Sequence, residues 1–258
     1  MEIDQYEDGV PSWVDVGSPD PAAAAAFYSA LLGWESEEGP PEAGGYRVCT
    51  LRGRMVAGIA PQVRPGPSVW TTYVSDSDAE AVVARALVHL GEVLVEPMDV
   101  MEAGRMALIA DPVGAVIGVW QPGQHKGAGI VNEPGAWCWS ELVTSDLAKA
   151  EAFYPAVFGW QVLSHPPEEA GGMPGGYTEW QVNARSVAGM MLKPPGMPAE
   201  VPPYWGVYFM VDDADEALRR IGEFGGRGLT PLMDIEQGRF AAAADPFGAM
   251  FSVLAPPG

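Results

Sequence analysis

The chain is written twice. Residues 13–34 read WVDVGSPDPAAAAAFYSALLGW and residues 139–160 read WSELVTSDLAKAEAFYPAVFGW. Trp13 maps to Trp139, Phe27-Tyr28 to Phe153-Tyr154 and Gly33-Trp34 to Gly159-Trp160, all at an offset of 126. DPVGAVIGVW (111–120) and DPFGAMFSVL (245–254) recur at an offset of 134. A duplication on this scale confines the chain to tandem copies of one supersecondary plan. Each candidate residue can also be read against its own twin. With 258 residues, each copy is long enough to bury a core of its own.

Each copy divides again. Residues 11–17 alternate like a strand, and Pro19-Asp20 opens a helix that buries Ala24, Phe27, Tyr28 and Leu31 before Gly33 stops it. Strands follow near 34–38, 45–51 and 54–61. After the link RPGP (64–67) the order returns: strand 69–75, helix 77–90 ended by Gly91, and strands near 92–97, 103–110 and 114–120. The second copy gives strand 137–143, helix 146–158 and strands near 160–164, 176–182 and 185–193. Its proline-rich link 193–203 leads to strand 205–211, helix 213–224 and strands near 226–232, 238–244 and 248–254.

The repeating unit is therefore βαβββ, used four times in an α+β fold. The predicted domains are 11–122, with units 11–62 and 68–122, and 136–256, with units 136–193 and 203–256. The Gly-rich polar stretch 121–135 parts them. Three strands after a helix form an antiparallel meander. The helix covers one face of the sheet, and the other face is left concave for a partner unit or a ligand. Two units per half enclose one cavity, giving two per chain.

Bulk properties exclude some functions. The formal net charge is -20, which disfavours nucleic acid and anionic membranes and favours solubility. No run of about 18 apolar residues is present to span a bilayer. The opening MEIDQYEDGV is acidic and lacks the apolar core of a secretory signal, so a cytoplasmic location is expected. Cys49 and Cys138 lie in different copies without metal spacing and read as buried free thiols.

Taken together, these pieces resemble the vicinal oxygen chelate superfamily, the fold of glyoxalases and bleomycin-resistance proteins. The resemblance rests on FYSALLGW and FYPAVFGW after a strand and an Asp, on YVSD (73–76) and FMVDD (209–213), and on DPVG and DPFG. It covers nearly the whole chain and is specific for the fold, not for a reaction. GVPSWVDV, GRMALIADPVGAVIGVW, WSELVTSD and GRFAAAADPFGAMFSVL further resemble a two-domain actinobacterial branch. That branch holds a mycobacterial antigen and hydroxylase- or glyoxalase-labelled proteins, some from polyketide antibiotic clusters.

The resemblance implies where a metal would sit. Metal-using members place a His, Gln or Glu seven residues before the helix-starting Asp, and a Glu seven after the Asp of the DP-G turn. Those positions here are Trp13, Val69, Trp139 and Gly206, and then Gly118 and Ser252. Of these, only Ser252 carries an oxygen, and a neutral hydroxyl alone holds no metal. The histidines fall at a helix end (His89), in the linker (His125) and in a loop (His165). No metal and no cofactor are expected.

Strand alternation puts the residues two further on along the same face: Asp15, Thr71, Glu141 and Tyr208. Two carboxylates thus occupy equivalent positions, each beside a tryptophan. An apolar wall disfavours the charged carboxylate and can poise it as an acid or base, so Asp15 and Glu141 are the candidate catalytic residues. Trp13, Trp139, Thr71, Tyr208, Arg105, Arg239 and Ser252 are the candidate ligand-binding residues. A structural account competes: Arg105 and Arg239, six before each DP turn, pair with the acids, and the tryptophans fill core. The FY and GW pairs read as locks of helix to sheet, Asp-Pro-x-Gly as β-turns, and the Gly-Gly stretches as loops.

The reading that follows is a metal-free cavity protein for a planar, apolar, polyketide-like molecule, with acid–base assistance from Asp15 or Glu141. Two alternatives stand beside it: an enzyme of secondary metabolism (hydroxylase, isomerase or lyase), and a metal-dependent glyoxalase or dioxygenase. Simple binding is preferred over catalysis because catalysis needs features that the residues do not prove. The partner is a small organic ligand, a monomer is sufficient, and a homodimer is compatible with the pattern.

Overall fold

A computed structural model describes residues 1–62 and 66–257. Arg64 and Pro65 of the RPGP link lie outside the described residues. In the first half β1 (Pro11–Ser18) leads to α1 (Pro21–Leu32), then β2 (Glu35–Glu38), β3 (Arg47–Leu51) and β4 (Arg54–Pro61). The second unit runs β5 (Val69–Ser75), α2 (Ala79–Val88), β6 (Glu92–Val100), β7 (Gly104–Ala110) and β8 (Val116–Pro122). The second half repeats this with β9 (Trp137–Thr144), α3 (Leu147–Phe158), β10 (Gln161–His165), β11 (Tyr177–Val182) and β12 (Arg185–Leu192). Its last unit is β13 (Tyr204–Met210), α4 (Ala214–Glu223), β14 (Arg227–Gly228), β15 (Met233–Ile235), β16 (Gly238–Ala244) and β17 (Met250–Ala255).

Each half forms one mixed sheet. The orders are β2-β3-β4-β1-β5-β8-β7-β6 and β10-β11-β12-β9-β13-β17-β16-β14, with β15 on β16. Two βαβββ units thus join through their first strands, β1 to β5 and β9 to β13, both antiparallel. The architecture is two tandem glyoxalase-like α+β sheets.

Local chemistry explains the elements. All four helices start from an aspartate whose carboxylate accepts backbone N–H groups: Asp20, Asp78, Asp146 and Asp213. Gly33 and Gly159 end α1 and α3 in the left-handed region, at φ 77° and 72°. Two expectations need correction. The cap of α2 is Asp78 and not Asp76, so counting seven back gives Thr71 in place of Val69. The expected strand 226–232 is instead two short pieces, β14 and β15. Pro231 between them has no N–H for the ladder, and both Leu229 and Thr230 donate to the Ala242 carbonyl.

The repeated FY and DP-G motifs meet across the halves. Tyr28 donates to Asp245 Oδ2 at 3.1 Å and accepts from Trp70 Nε1 at 3.0 Å. Tyr154 donates to Asp111 Oδ2 at 3.0 Å and accepts from Trp205 Nε1 at 3.0 Å. The sequence pattern predicts that these tyrosines lock helix to sheet. Their hydroxyls instead tie each copy's helix to the other copy's turn. The aspartates also hold their own turns: Asp111 accepts from Val113 and Ala115, and Asp245 from Phe247 and Ala249. Trp34 Nε1 donates to the Gly135 carbonyl and Trp160 Nε1 to that of Gly9. Helix α1 therefore packs on α4, and α2 on α3.

Candidate functional site

Alternation sorts each sheet into two faces. In β1, Val14 and Val16 are fully buried, while Trp13 and Asp15 point to the concave side. Register then aligns Asp15 with Thr71 of β5 and Gly58 of β4, and Trp13 with Tyr73. In the second sheet Glu141 aligns with Gly206 and Gly189, and Trp139 with Tyr208. The structural twin of Tyr208 is therefore Tyr73, and that of Thr71 is Gly206.

A tyrosine from the next hairpin completes each cluster. Trp13 Nε1 donates to the Tyr46 hydroxyl at 2.9 Å, and Tyr46 donates to Asp15 Oδ2 at 3.3 Å. Tyr73 also stands close enough to Asp15 to favour its charged form. In the second sheet Trp139 Nε1 donates to Tyr177 at 3.0 Å, and Tyr208 donates to Glu141 Oε1 at 2.9 Å. Tyr177 likewise favours the charged form of Glu141, and Ser252 lies beside Tyr208. Each cluster is thus a tryptophan, two tyrosines and a carboxyl.

Glycines make room for these tyrosines. A Cβ at Gly58 would stand 1.8 Å from the Tyr46 hydroxyl, and one at Gly189 would stand 1.9 Å from that of Tyr177. The Tyr73 ring likewise lies over Gly118, where a Cβ would come within 2.1 Å.

Burial sets the electrostatics. Asp15 is pushed up to about 7 because desolvation outweighs the stabilising tyrosine hydrogen bonds. Glu141 is raised for the same reason. The surrounding Tyr46, Tyr73 and Tyr208 are held well above the ordinary phenol range, first by burial and then by the neighbouring carboxylate. Each site therefore holds phenols that stay protonated beside a carboxyl raised by burial, and Asp15 in the first site exchanges its proton near neutrality.

Other sequence candidates fall elsewhere. Arg105 pairs with Glu80 and Asp99, and Arg239 with Asp215 and Asp234, so neither reaches Asp15 or Glu141. The reason is alternation. Arg105 shares a face with Ala107 and Ile109, and Arg239 with Ala241 and Ala243, the faces that carry the helices. The ion-pair account of the two acids is thereby overturned. His165 ends a strand and contacts Glu179 at 3.1 Å. Cys49 is buried and Cys138 half-buried, and burial pushes both thiols up to about 12.

Three residues were missed. Tyr46 and Tyr177 follow Gly-Gly in both copies, and His125 falls in the linker. The signal for the tyrosines was in the repeat: GGY at 44–46 and 175–177, and VAG at 56–58 and 187–189, all at an offset of 131. His125 carries no local signal. The linker folds back so that its ring meets Trp13 edge-on, with centroids 4.3 Å apart. Two surface clefts, of about 390 and 400 Å³, lie on the α1–α4 and α2–α3 seams, away from both clusters.

The metal positions implied by the family resemblance do not fit a cation. Trp13 and Trp139 present N–H donors already committed to tyrosines. Thr71, Gly206, Gly118 and Ser252 supply at most neutral hydroxyls. Among the described residues no group of three or more His, Cys, Asp or Glu side chains converges on a point.

Comparison with known proteins agrees with the fold. The sequence model described as Glyoxalase/Bleomycin resistance protein/Dioxygenase superfamily matches residues 137–253. The chain is 42% identical over 261 residues to "Putative glyoxylase CFP32" of Mycobacterium tuberculosis, covering 98% of this chain and 97% of that protein. It is 38% identical over 268 residues to "Anthracycline biosynthesis protein DnrV" of Streptomyces peucetius, covering 97% and 94%. Among solved structures, the fold is shared with the Mn(II)-bound glyoxalase from Novosphingobium aromaticivorans. That match has a TM-score of 0.67 at 15% identity and covers 96% of this chain and 82% of that one. The 2,3-dioxygenase LapB from Pseudomonas sp. KL28 gives 0.67 at 13% identity, covering 98% and 94%.

Proposed function

The chain belongs to the glyoxalase/bleomycin resistance protein/dioxygenase superfamily, and from that premise we propose that it is a metal-free member that binds a planar, apolar, polyketide-like molecule. The observation that carries this reading is the tryptophan–tyrosine–carboxyl cluster at the positions where relatives of this fold hold a metal. Aromatic walls stack a planar ring system, and the hydroxyls and carboxyl satisfy its oxygens.

The same cluster supplies acid–base assistance. A carboxylate at Asp15 or Glu141 takes a proton from a carbon beside a ligand carbonyl and returns it to another ligand atom. The neighbouring phenols donate to the oxygen on which charge develops. The net change is a redox-neutral isomerisation, and no metal enters it. The similarity to an anthracycline biosynthesis protein favours one further reading, an enzyme of secondary metabolism acting on such a ring system.

Two measurements test this. Metal analysis of purified protein is expected to show no stoichiometric divalent metal, and near one equivalent would overturn the metal-free reading. Asp15→Asn and Glu141→Gln separate binding from catalysis. Loss of turnover at saturating ligand supports the enzyme, whereas unaltered ligand bound stoichiometrically supports a binding protein.

A further inference from the structure

The two clusters are built alike, but they do not face solvent alike. The protein has nine tryptophans, and eight of them are 6% exposed or less. Trp139 is the exception and is half-buried. Its twin Trp13 is 4% exposed because the His125 ring lies against it. His125 is fixed there: its N–H donates to the Ala103 carbonyl at 3.0 Å, and its own carbonyl accepts from Trp120 Nε1 at 2.9 Å. Both imidazole nitrogens are buried without a partner among the described residues. An unpaired polar ring is a poor core residue, and here it fills the space that a ligand ring would need.

The linings differ in the same direction. Register makes Val69, Met106 and Gly118 of the first sheet the twins of Tyr204, Phe240 and Ser252 of the second. The second concave face therefore gains the rings of Tyr204 and Phe240 and the Ser252 hydroxyl, and it carries Leu254 where the first face carries Trp120. Tyr204, Tyr208 and Phe240 are all half-buried, and Tyr208 lies 6.2 Å from Phe240 between ring centroids. Tyr73, the twin of Tyr208, is only 6% exposed.

Resting on the reading of a planar ligand, we infer that the second concave face alone is the binding slot and that the first is its structural twin, closed by His125. The slot takes a flat aromatic ring system between Trp139, Tyr204, Tyr208 and Phe240. A phenol or ketone oxygen of that ligand meets Glu141 and the tyrosine hydroxyls. The formal charge of -20 selects against anionic ligands. The acids themselves run the other way, since Glu141 is 7% exposed and Asp15 is half-buried. Entry is therefore assigned by the aromatic lining, and the test includes both acids.

The experiment uses the full chain with two probes, acrylamide and quinizarin, a planar dihydroxyanthraquinone. Without ligand, Trp139→Phe is expected to remove most of the acrylamide-quenchable tryptophan emission, and Trp13→Phe to leave it. Quinizarin is expected to protect Trp139 from acrylamide. Glu141→Gln and Tyr208→Phe should each weaken quinizarin binding by about tenfold or more, as for central contacts of a desolvated site. Asp15→Asn and Trp13→Phe should hold within about twofold. Thermal melts confirm that each variant folds, and the conservative Trp139→Phe carries the test if another variant does not. A quenchable fraction that survives Trp139→Phe overturns the slot. So does quinizarin binding that depends on Asp15 as much as on Glu141. If wild type fails to bind quinizarin, the planar-ligand reading falls, and the ligand class assigned here falls with it.

Discussion

Across the first sheet, Trp13 meets the edge of His125 and is nearly sealed; across the second, no aromatic ring packs on Trp139 among the described residues, and it stays half-buried. The strands beneath are equivalent, and in both an indole donates to a tyrosine and a tyrosine donates to the carboxyl. The difference is topological. The linker that follows the first copy folds back above that copy's concave face and places His125 on Trp13. Duplication therefore delivered two equivalent frames, and connectivity made them unequal.

The largest effect that probes this comparison is on stability against pH. Asp15 is lifted from 3.8 to about 7 in the folded protein. Between those values the folded state keeps a proton that the unfolded chain releases. Stability from this group is thus complete below about pH 4, falls as pH rises, and is lost above about pH 7. A three-unit shift corresponds to on the order of 4 kcal/mol. Asp15→Asn should flatten that slope and gain stability over wild type at about pH 8. Parallel pH profiles of denaturant unfolding for wild type and variant would show that Asp15 is not buried as an acid.

Next come the glycines beneath the tyrosines. Gly58→Ala and Gly189→Ala each place a methyl group against a tyrosine hydroxyl and should cost about 1–3 kcal/mol. Their stability losses should match, whereas only Gly189→Ala should also abolish quinizarin binding. Equal loss of binding in both variants would break the asymmetry.

Smaller effects fall on the contacts between the halves. Tyr28→Phe leaves Asp245 without its phenol donor, and Tyr154→Phe does the same to Asp111. Each should lower stability by about 1–2 kcal/mol with quinizarin affinity unchanged. A single cooperative melt that moves equally in both variants supports equivalent seams. The smallest effect is that of His125→Ala, since the lost ring contact with Trp13 is worth about 1 kcal/mol and the unpaired nitrogens leave with it. In a Trp139→Phe background this change should create a new acrylamide-quenchable tryptophan, namely Trp13. If none appears, something other than His125 seals the first face.

Much of the frame was legible in the chain. The aspartate caps, the terminating glycines and the alternating strands are local, so the four βαβββ units could be read directly. Asp15 and Glu141 could be placed on the concave faces because alternation is also local. The arginines could not be placed. Six residues before a turn fixes distance along a strand but leaves open which face meets which helix, and Arg105 and Arg239 emerged on the helix side. The shift of the α2 cap by two residues moved the twin of Tyr208 from Thr71 to Tyr73, a change that only cap geometry reveals.

The sequence by itself determined the duplicated frame, the acid beside each tryptophan, and the absence of metal-ligating side chains where the family resemblance places them. Those depend on short-range periodicity and residue chemistry. Tertiary structure decided that the FY tyrosines grip the opposite copy's turns, that Tyr46 and Tyr177 complete the clusters, and that His125 closes one face. These contacts join residues 217, 43, 31, 38 and 112 positions apart, and such pairings are set only when the sheets pack.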